Sequence, residues 1–515
     1  MSEQNCRIGK VEPAYKAAGV GPRIVNWIGT SRGPQSTIQG SLTNLRNRSR
    51  QEHRNNPWVR KALTSLVANE VGTGVSPASL ALDVGHREAI DDLWKISHEQ
   101  IDADHATNFY GLEAMIVGAR RQSGECFVRR RPRRVGTPDL AVPLQIQVLE
   151  GDFCPHSKDE DLSNGNRIRS GIEFNRRGQR VAYHMYPEHP GDRSTVFLRT
   201  VDTIRIPASQ IIHHFIPNRP GQIRGEVDSA TSLLAAKNFH EYSDTELERK
   251  KARAPFTGFL AREKVDGWAY NPITGSEINS ETNQGKSVEP PPVDFYPGAI
   301  LTGLPGESLD LFNADDNGKG YADYMRWQLL TVAAGYGLPY ELLSGDWSKV
   351  NDRLVRAILN EFHRLIEMNR EHYLVHQVCR VVRRWWMDWA VFTGALTLPG
   401  YDQNRSDYLA TIWQPQAWPY VNPETDIKAA ILAANHDLSS IPDEAQKRGG
   451  NAAANAEKNA EYRKDREESF AEAGVPAPPL EPQPGAGASP SNEDDDVPED
   501  DENDPATGSA QQSSG

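Results

Sequence analysis

Residues 352–392 hold one helical apolar period over about forty residues, and that length constrains the fold more than any other feature. Leu354, Ile358, Leu359, Phe362, Leu365 and Ile366 recur at helical spacing. Val378, Val381, Val382, Trp385, Trp386 and Trp389 continue the stripe. At 1.5 Å per residue, such a helix is about 60 Å long. That is too long for one compact domain, so the helix is expected to brace several.

The rest of the chain switches between helical and strand periods, which predicts an α+β fold. Residues 1–35, with scattered Gly19, Gly21, Gly29, Gly33 and Pro34, read as an irregular, flexible arm. An Arg-rich, mostly solvated helix follows over 41–56, with Arg46, Arg48, Arg50 and Arg54. It stops where Pro57 forces Asn56 into extended geometry. Val59, Leu63, Leu66 and Val67 mark a second helix, ended by Gly72 and Gly74. A third and a fourth cover about 86–105 and 106–121. Over 128–216 the period falls to two, as in VPLQIQVLEGDF, and predicts a β-rich unit. Helix returns at 228–251. Residues 253–312 read as β and loop, 313–335 as helix and 338–351 as loop. Beyond the long helix, 400–423 is an aromatic loop, with helices at 424–436 and 441–470.

The segment 475–515 carries ten acidic side chains, eight prolines, no Lys or Arg and no aromatic residue. It cannot bury enough apolar surface to offset its ordering entropy and is expected to be disordered. Taking its ten negative charges from the formal −13 leaves the body at −3, close to neutral.

Several classes are excluded. No apolar run approaches the ~18 residues of a membrane span. The N-terminus MSEQNCRIGK has no apolar core, so no secretory signal is expected. Cys6, Cys126, Cys154 and Cys379 are widely spaced, which points to four reduced thiols rather than a zinc site or disulfide scaffold. GxxxxGK[ST], GxGxxG, HExxH and GxSxG are all absent, and no cofactor is expected.

The remaining candidates each have a plain structural reading. NADDNGKGYADY (313–324) faintly resembles a calcium loop, but Tyr324 stands where the bidentate Glu belongs, so a turn and helix cap fit better. His213 and His214 are adjacent on a strand, point to opposite faces and cannot share a metal. The carboxylates of 88–104 read as a solvated helix face. RRRPRR (129–134) and the helix 41–56 could touch phosphates, but solvated or paired arginines account for them. The Trp cluster 385–389 reads as core or subunit interface rather than a stacking platform.

Six strings then carry a resemblance. LRNRSRQEHRNNPWVRKALTSLVANEVGTGVSP (45–77) resembles the N-terminal signature of the lambda-type bacteriophage portal proteins. Arg48-Ser49-Arg50, Arg54 to Pro57 and Val71 to Gly74 are its landmarks. GECFVRRR with VPLQIQVLEGDF matches the following strand pair. IPASQIIHHFIPNRPGQIRGEVDSA (206–230), with its Arg224-Gly225-Glu226 turn, matches the passage from strand to helix. YPGAILTGLPGESLDLFN, AAGYGLPYELLSGDWSKVNDRLVRAILNEF (333–362) and WPYVNPETDIKAA complete the match, collinear over about 40–450. One departure is Lys349-Val350-Asn351-Asp352, where relatives tend to be Ser-rich.

The resemblance implies a portal fold and a ring of about twelve copies at one capsid vertex, through which double-stranded DNA enters and leaves. It implies a wing (36–227), a stem helix (228–252), a clip (253–312), a second stem helix (313–337), a tunnel loop (338–351), a long wing helix (352–399) and a crown (400–473). Partners would be the terminase large subunit, which supplies the ATPase, and later head–tail adaptors. Major capsid and scaffold subunits would surround the wing. The protein would be structural rather than an enzyme, assembled in the host cytoplasm and carried in the virion. Trp347, Ser348, Lys349 and Arg353 are the candidate channel residues. Duplex DNA presents one charge per about 1.7 Å, and a strongly basic bore would hold it at many phosphates. The near-neutral body suits a conduit with a sparse, movable contact ring. The competing readings are a basic DNA-binding module using 41–56 and 129–134, and a phage-encoded hydrolase.

Overall fold

The computed structural model describes residues 29, 31–192, 202–253, 259–262, 269–270, 277–278, 307–310, 319–418 and 423–478. The expected arm up to residue 28, most of 254–318 with the first half of the calcium-like string, and the acidic tail beyond 478 lie outside them.

Helices α1 (Pro34–Gln39) and α2 (Leu42–Asn55) lead into α3 (Pro57–Glu70). Asn56 separates the last two. Its backbone is extended, as proline requires of the residue before it, and its Oδ1 accepts from the amides of Trp58 and Val59. Strand β1 (Ser76–Ser79), α4 (Val84–Gln100) and α5 (Phe109–Ser123) follow. α4 stops short of the expected 105 because Asp102 accepts the amides of Asp104, Ala106 and Thr107 and folds the chain into a tight turn.

The period-two region forms two antiparallel sheets. β2 (Glu125–Pro132) pairs with β3 (Leu144–Glu150). β4 (Glu160–Asp161), β5 (Arg167–Arg169), β6 (Ile172–Phe174), β7 (Arg180–Met185) and β8 (Ile204–Pro207) form a five-stranded sheet in sequence order. β9 (Ile211–Phe215) returns to β2, giving the order β3-β2-β9.

α6 (Leu233–Arg253) then departs. Four short strands follow: β10 (Phe259–Arg262), β11 (Ala269–Tyr270), β12 (Glu277–Ile278) and β13 (Glu307–Asp310). They pair as β10 with β13 and β11 with β12. α7 (Lys319–Tyr336) runs back antiparallel to α6. Tyr242 lies 6.2 and 4.8 Å from the rings of Tyr321 and Tyr324, and Phe239 shares a core with Leu329 and Tyr336.

α8 (Tyr340–Ser344) places one short helix inside the span read as loop. α9 (Asp352–Asn369), a π-helical stretch (Arg370–Cys379) and α10 (Arg380–Phe392) then form one uninterrupted helix of about 60 Å. α11 (Arg405–Leu409), β14 (Thr411–Gln414), which pairs with β1, α12 (Pro423–Asn435) and α13 (Ile441–Lys447) complete this unit. The chain divides after Gly449, and α14 (Ala452–Glu472) belongs to the second unit.

The long helix serves two cores, as its length demands. Phe362 and Ile366 pack with Val59, Leu66 and Phe239. Leu374 to Ala390 pack with Phe109, Ile116, Val128 and Trp94. Trp386 is fully buried, edge-on to Trp94 at 5.0 Å, so the Trp cluster is core. The expected stripe needs two corrections. Leu354 and Leu365 are 46% and 36% exposed. The gap in the stripe between 366 and 378 is where the helix is π, and there Arg370 reaches back to cap α3. It donates to the carbonyls of Glu70 (2.8 Å) and Asn69 (2.7 Å).

Two buried carboxylates lock these layers. Glu125, at the head of β2, accepts from Arg46 of α2 (2.8 Å) and from Arg224 Nε (2.9 Å to each oxygen). It also accepts the amide of Gly225 (3.0 Å), and His213 Nε2 lies 2.9 Å away. Burial alone would raise its pKa. The Arg224 charge and the His213 contact outweigh that and hold it well below the usual carboxylate range. Gly124 is left-handed (φ 88°), and a Cβ on Gly225 would sit 2.0 Å from the Gly124 carbonyl oxygen, so the two strings meet only as glycines. Glu70 is held likewise by Arg120 (3.0 Å) and Arg121 (2.9 Å), and Arg121 also grips Asp228 (2.7 Å). Its pKa is lowered: Arg121 and Arg120 together overcome burial.

Glu113 has no such partner. It accepts from the amide of Val75 (2.8 Å) and the thiol of Cys379 (3.2 Å), and burial pushes it up to about 8.

Two outcomes follow. Arg224→Met strands the Glu125 charge and should cost about 3–5 kcal/mol in urea unfolding; a loss under about 1 kcal/mol would contradict the network. Glu113 is protonated when folded and ionised when unfolded between pH 4.5 and 8. It therefore contributes stability below 4.5 that is lost as pH rises through 8, on the order of 1 kcal/mol per pH unit. Glu113→Gln should flatten the fall in Tm between pH 6 and 8; an unchanged slope would refute this.

Candidate functional site

The structure places Trp347, Ser348 and Lys349 on one exposed turn between α8 and α9, and exposed Arg353 in the first turn of α9. Gly345, in the left-handed region (φ 76°), ends α8. Asp346 then accepts the amide (3.1 Å) and hydroxyl (2.6 Å) of Ser348, which makes a compact Asx turn. These two bonds hold the Asp346 carboxyl below its usual range. The Val350 amide donates to the Trp347 carbonyl (3.2 Å), and Asn351 Oδ1 caps α9 through the Leu354 amide (3.0 Å). The turn is therefore formed locally, uses the Ser348 hydroxyl to close itself, and projects Trp347 and Lys349, whose side chains its own hydrogen bonds do not need. Its charge balances: Lys349 and Arg353 against Asp346 and Asp352.

The other basic segments are largely committed to the fold. The helix read as mostly solvated buries Arg46 and half-buries Arg50. Arg46 is 1% exposed on Glu125, and Arg50 pairs with Asp152 (2.6 Å) and Glu150 (2.8 Å). Only Arg48 and Arg54 are exposed. In RRRPRR, Arg129, Arg130 and Arg131 are half-buried. Arg130 lies over the Trp389 ring (5.0 Å), Arg131 donates to Gln147 (3.0 Å) and Arg133 to Gln145 (2.6 Å). Pro132 stands at the end of β2, beyond the reach of β9, where its missing N–H costs nothing.

Candidate catalytic chemistry resolves into structural roles. His213 faces Glu125 and Phe127, whereas His214 turns to Gln377 (2.9 Å). Burial pushes them down to about 4 and about 3, so both are neutral. Two carboxylates of 88–104 are tied into the fold: buried Asp102 holds its turn, and half-buried Asp91 accepts the Ser79 amide (3.1 Å) beside Arg383. Cys126, Cys154 and Cys379 are buried free thiols, each raised by burial; Cys6 lies outside the described residues. Among the described residues one three-ligand grouping occurs, Glu150, Asp152 and His189, and Arg50 already pairs with both acids.

Residues 20–370 match the family model described as phage portal protein, lambda family. The "Probable portal protein" of Halomonas phage phiHAP-1 is 23% identical over 445 residues, 82% of this chain and 81% of that one. Portal protein B of Escherichia phage lambda is 21% identical over 465 residues, 84% of this chain and 85% of that one. The portal protein of Escherichia phage N15 is 23% identical over 310 residues, 57% of this chain and 58% of that one. Among solved structures, the neck of a native GTA particle computed with C12 symmetry is similar at 15% identity and a TM-score of 0.43. That match covers 83% of this chain and 96% of that one.

The turn separates structure from function by substitution. Asn351→Ala removes a helix cap and should cost about 1 kcal/mol. Lys349→Ala should stay within about 0.5 kcal/mol of the parent, as a surface change. Equal losses for the two, measured by thermal unfolding, would show that Lys349 is part of the fold.

Proposed function

The chain belongs to the lambda family of phage portal proteins, and on that premise we propose how its parts divide the work. Portal proteins are structural components of the virion that connect head to tail. Among the described residues, no helix is long and apolar enough to cross a membrane. In our reading about twelve copies close into a ring at one capsid vertex, and double-stranded DNA passes through it during packaging and ejection. The ring has no catalysis of its own. The terminase large subunit hydrolyses ATP and docks on the clip, 253–312. Head–tail adaptors take that surface afterwards, capsid and scaffold subunits surround the wing, and assembly takes place in the host cytoplasm.

The observation that carries this reading is a succession of elements. The antiparallel pair α6 and α7 leads to an exposed, charge-balanced turn and then to a helix of about 60 Å. We assign α6 and α7 to the stem and the turn at 345–351 to the tunnel loop, with Trp347, Ser348, Lys349 and Arg353 nearest the DNA. One Lys and one Arg per subunit give a ring of weak, exchangeable phosphate contacts. A bore lined by many cations would instead arrest the duplex, because affinity climbs steeply with each phosphate neutralised. The two aspartates beside them lower the net attraction further.

Lys349→Ala together with Arg353→Ala should leave assembly intact and shorten or destabilise the packaged DNA. Genome length in heads filled by the variant measures this. Full-length, fully retained genomes would remove these residues from the channel.

A further inference from the structure

Beside α10 lies a basic site that the channel reading does not use. Arg380, Arg383 and Arg384 of α10 meet Arg405 of α11 around a cavity of about 540 Å³. Arg384 is exposed and makes no ion pair or hydrogen bond among the described residues. Arg380 and Arg405 are half-exposed and each already holds a carboxylate, Glu371 (2.9 Å) and Asp388 respectively.

Arg383 forms the floor and is 2% exposed. Its guanidinium lies 4.6 Å from the Trp386 ring centroid and 4.9 Å from that of Trp94. Its charge is answered by one carboxylate, Asp91, at 3.4 Å, and its Nε and Nη1 have no acceptor. Burial pushes its pKa down to about 10. A guanidinium at that value is still charged at neutral pH, so the floor is a desolvated cation with incomplete compensation. In a low-dielectric setting such a charge attracts an anion far more than a solvated one does.

We propose that this cradle binds a phosphate oxyanion. The exposed forks of Arg384, Arg380 and Arg405 make the direct bonds, and Arg383 supplies charge from below. The three nearby carboxylates are already engaged, which leaves unused N–H donors converging from two helices. A tetrahedral phosphate accepts in more directions than a planar carboxylate and can take several guanidinium forks at once. The source is either a DNA backbone or free phosphate. Arg384 lies about 45 Å along the helix from Arg353, so this contact is separate from the tunnel loop and does not depend on it.

The test uses the full chain as it assembles, with inorganic phosphate titrated calorimetrically and a short labelled DNA duplex followed by anisotropy at low salt. Phosphate should bind, and Arg384→Ala should weaken it about tenfold or more, with Arg384→Lys intermediate. Lys458→Ala, at an exposed lysine of α14, should leave phosphate affinity unchanged. If duplex binding also falls in Arg384→Ala and its salt slope drops by about 1, the backbone is the source. If phosphate binding alone changes, the free anion is. Unchanged phosphate affinity in Arg384→Ala overturns the proposal. So does lost ring formation with phosphate affinity intact, which would assign the cradle to carboxylates of a neighbouring copy.

Discussion

A carboxylate taken out of water must be matched nearby, and Glu125 and Glu70 set that condition for the layers from α2 to the turn before α6. Each draws guanidinium groups across long stretches of sequence: Arg46 and Arg224 to the first, Arg120 and Arg121 to the second. Desolvating such an ion costs several kcal/mol, so the arrangement is stable only when every partner is in place. Helix α2, the three-stranded sheet and the turn before α6 are thereby fixed to one another. The long helix then joins the same network through Arg370, which caps the end of α3 beside Glu70. Stiffness suits the proposed ring, since an error of a few degrees per copy would accumulate around a closed assembly.

Three of the six strings that carry the family resemblance turn out to be parts of this network. Arg50 binds Ser123 and Asp152, Asn56 caps α3, Gly124 with Glu125 opens β2, and Arg224 with Gly225 closes on it.

The sequence made the periodic elements legible, because a helix or strand with one buried face prints its period on its apolar residues. It did not reveal the π-helical stretch. There Arg370 is buried, and its value lies in bonds to the distant carbonyls of Glu70 and Asn69 and not in hydrophobicity. For the same reason Arg46 looked solvated, since its partner Glu125 is 79 residues away. Leu354 and Leu365 fit the helical stripe but face outward, and a pattern on one chain cannot tell a core face from a face awaiting a neighbour. The turn at 345–351 was legible as a break between helices. Its short helix α8 and its Asx turn were not, because both rest on local hydrogen bonds without apolar period.

The central claim is that identical copies of this rigid subunit close around an opening that a double helix can traverse without being held. Electron microscopy of the purified chain, with classes averaged along the symmetry axis, addresses it directly. The account predicts closed rings of about twelve subunits with a continuous axial bore wide enough for duplex DNA. Monomers that persist in the presence of capsid and scaffold subunits, or assemblies with no bore, would contradict it.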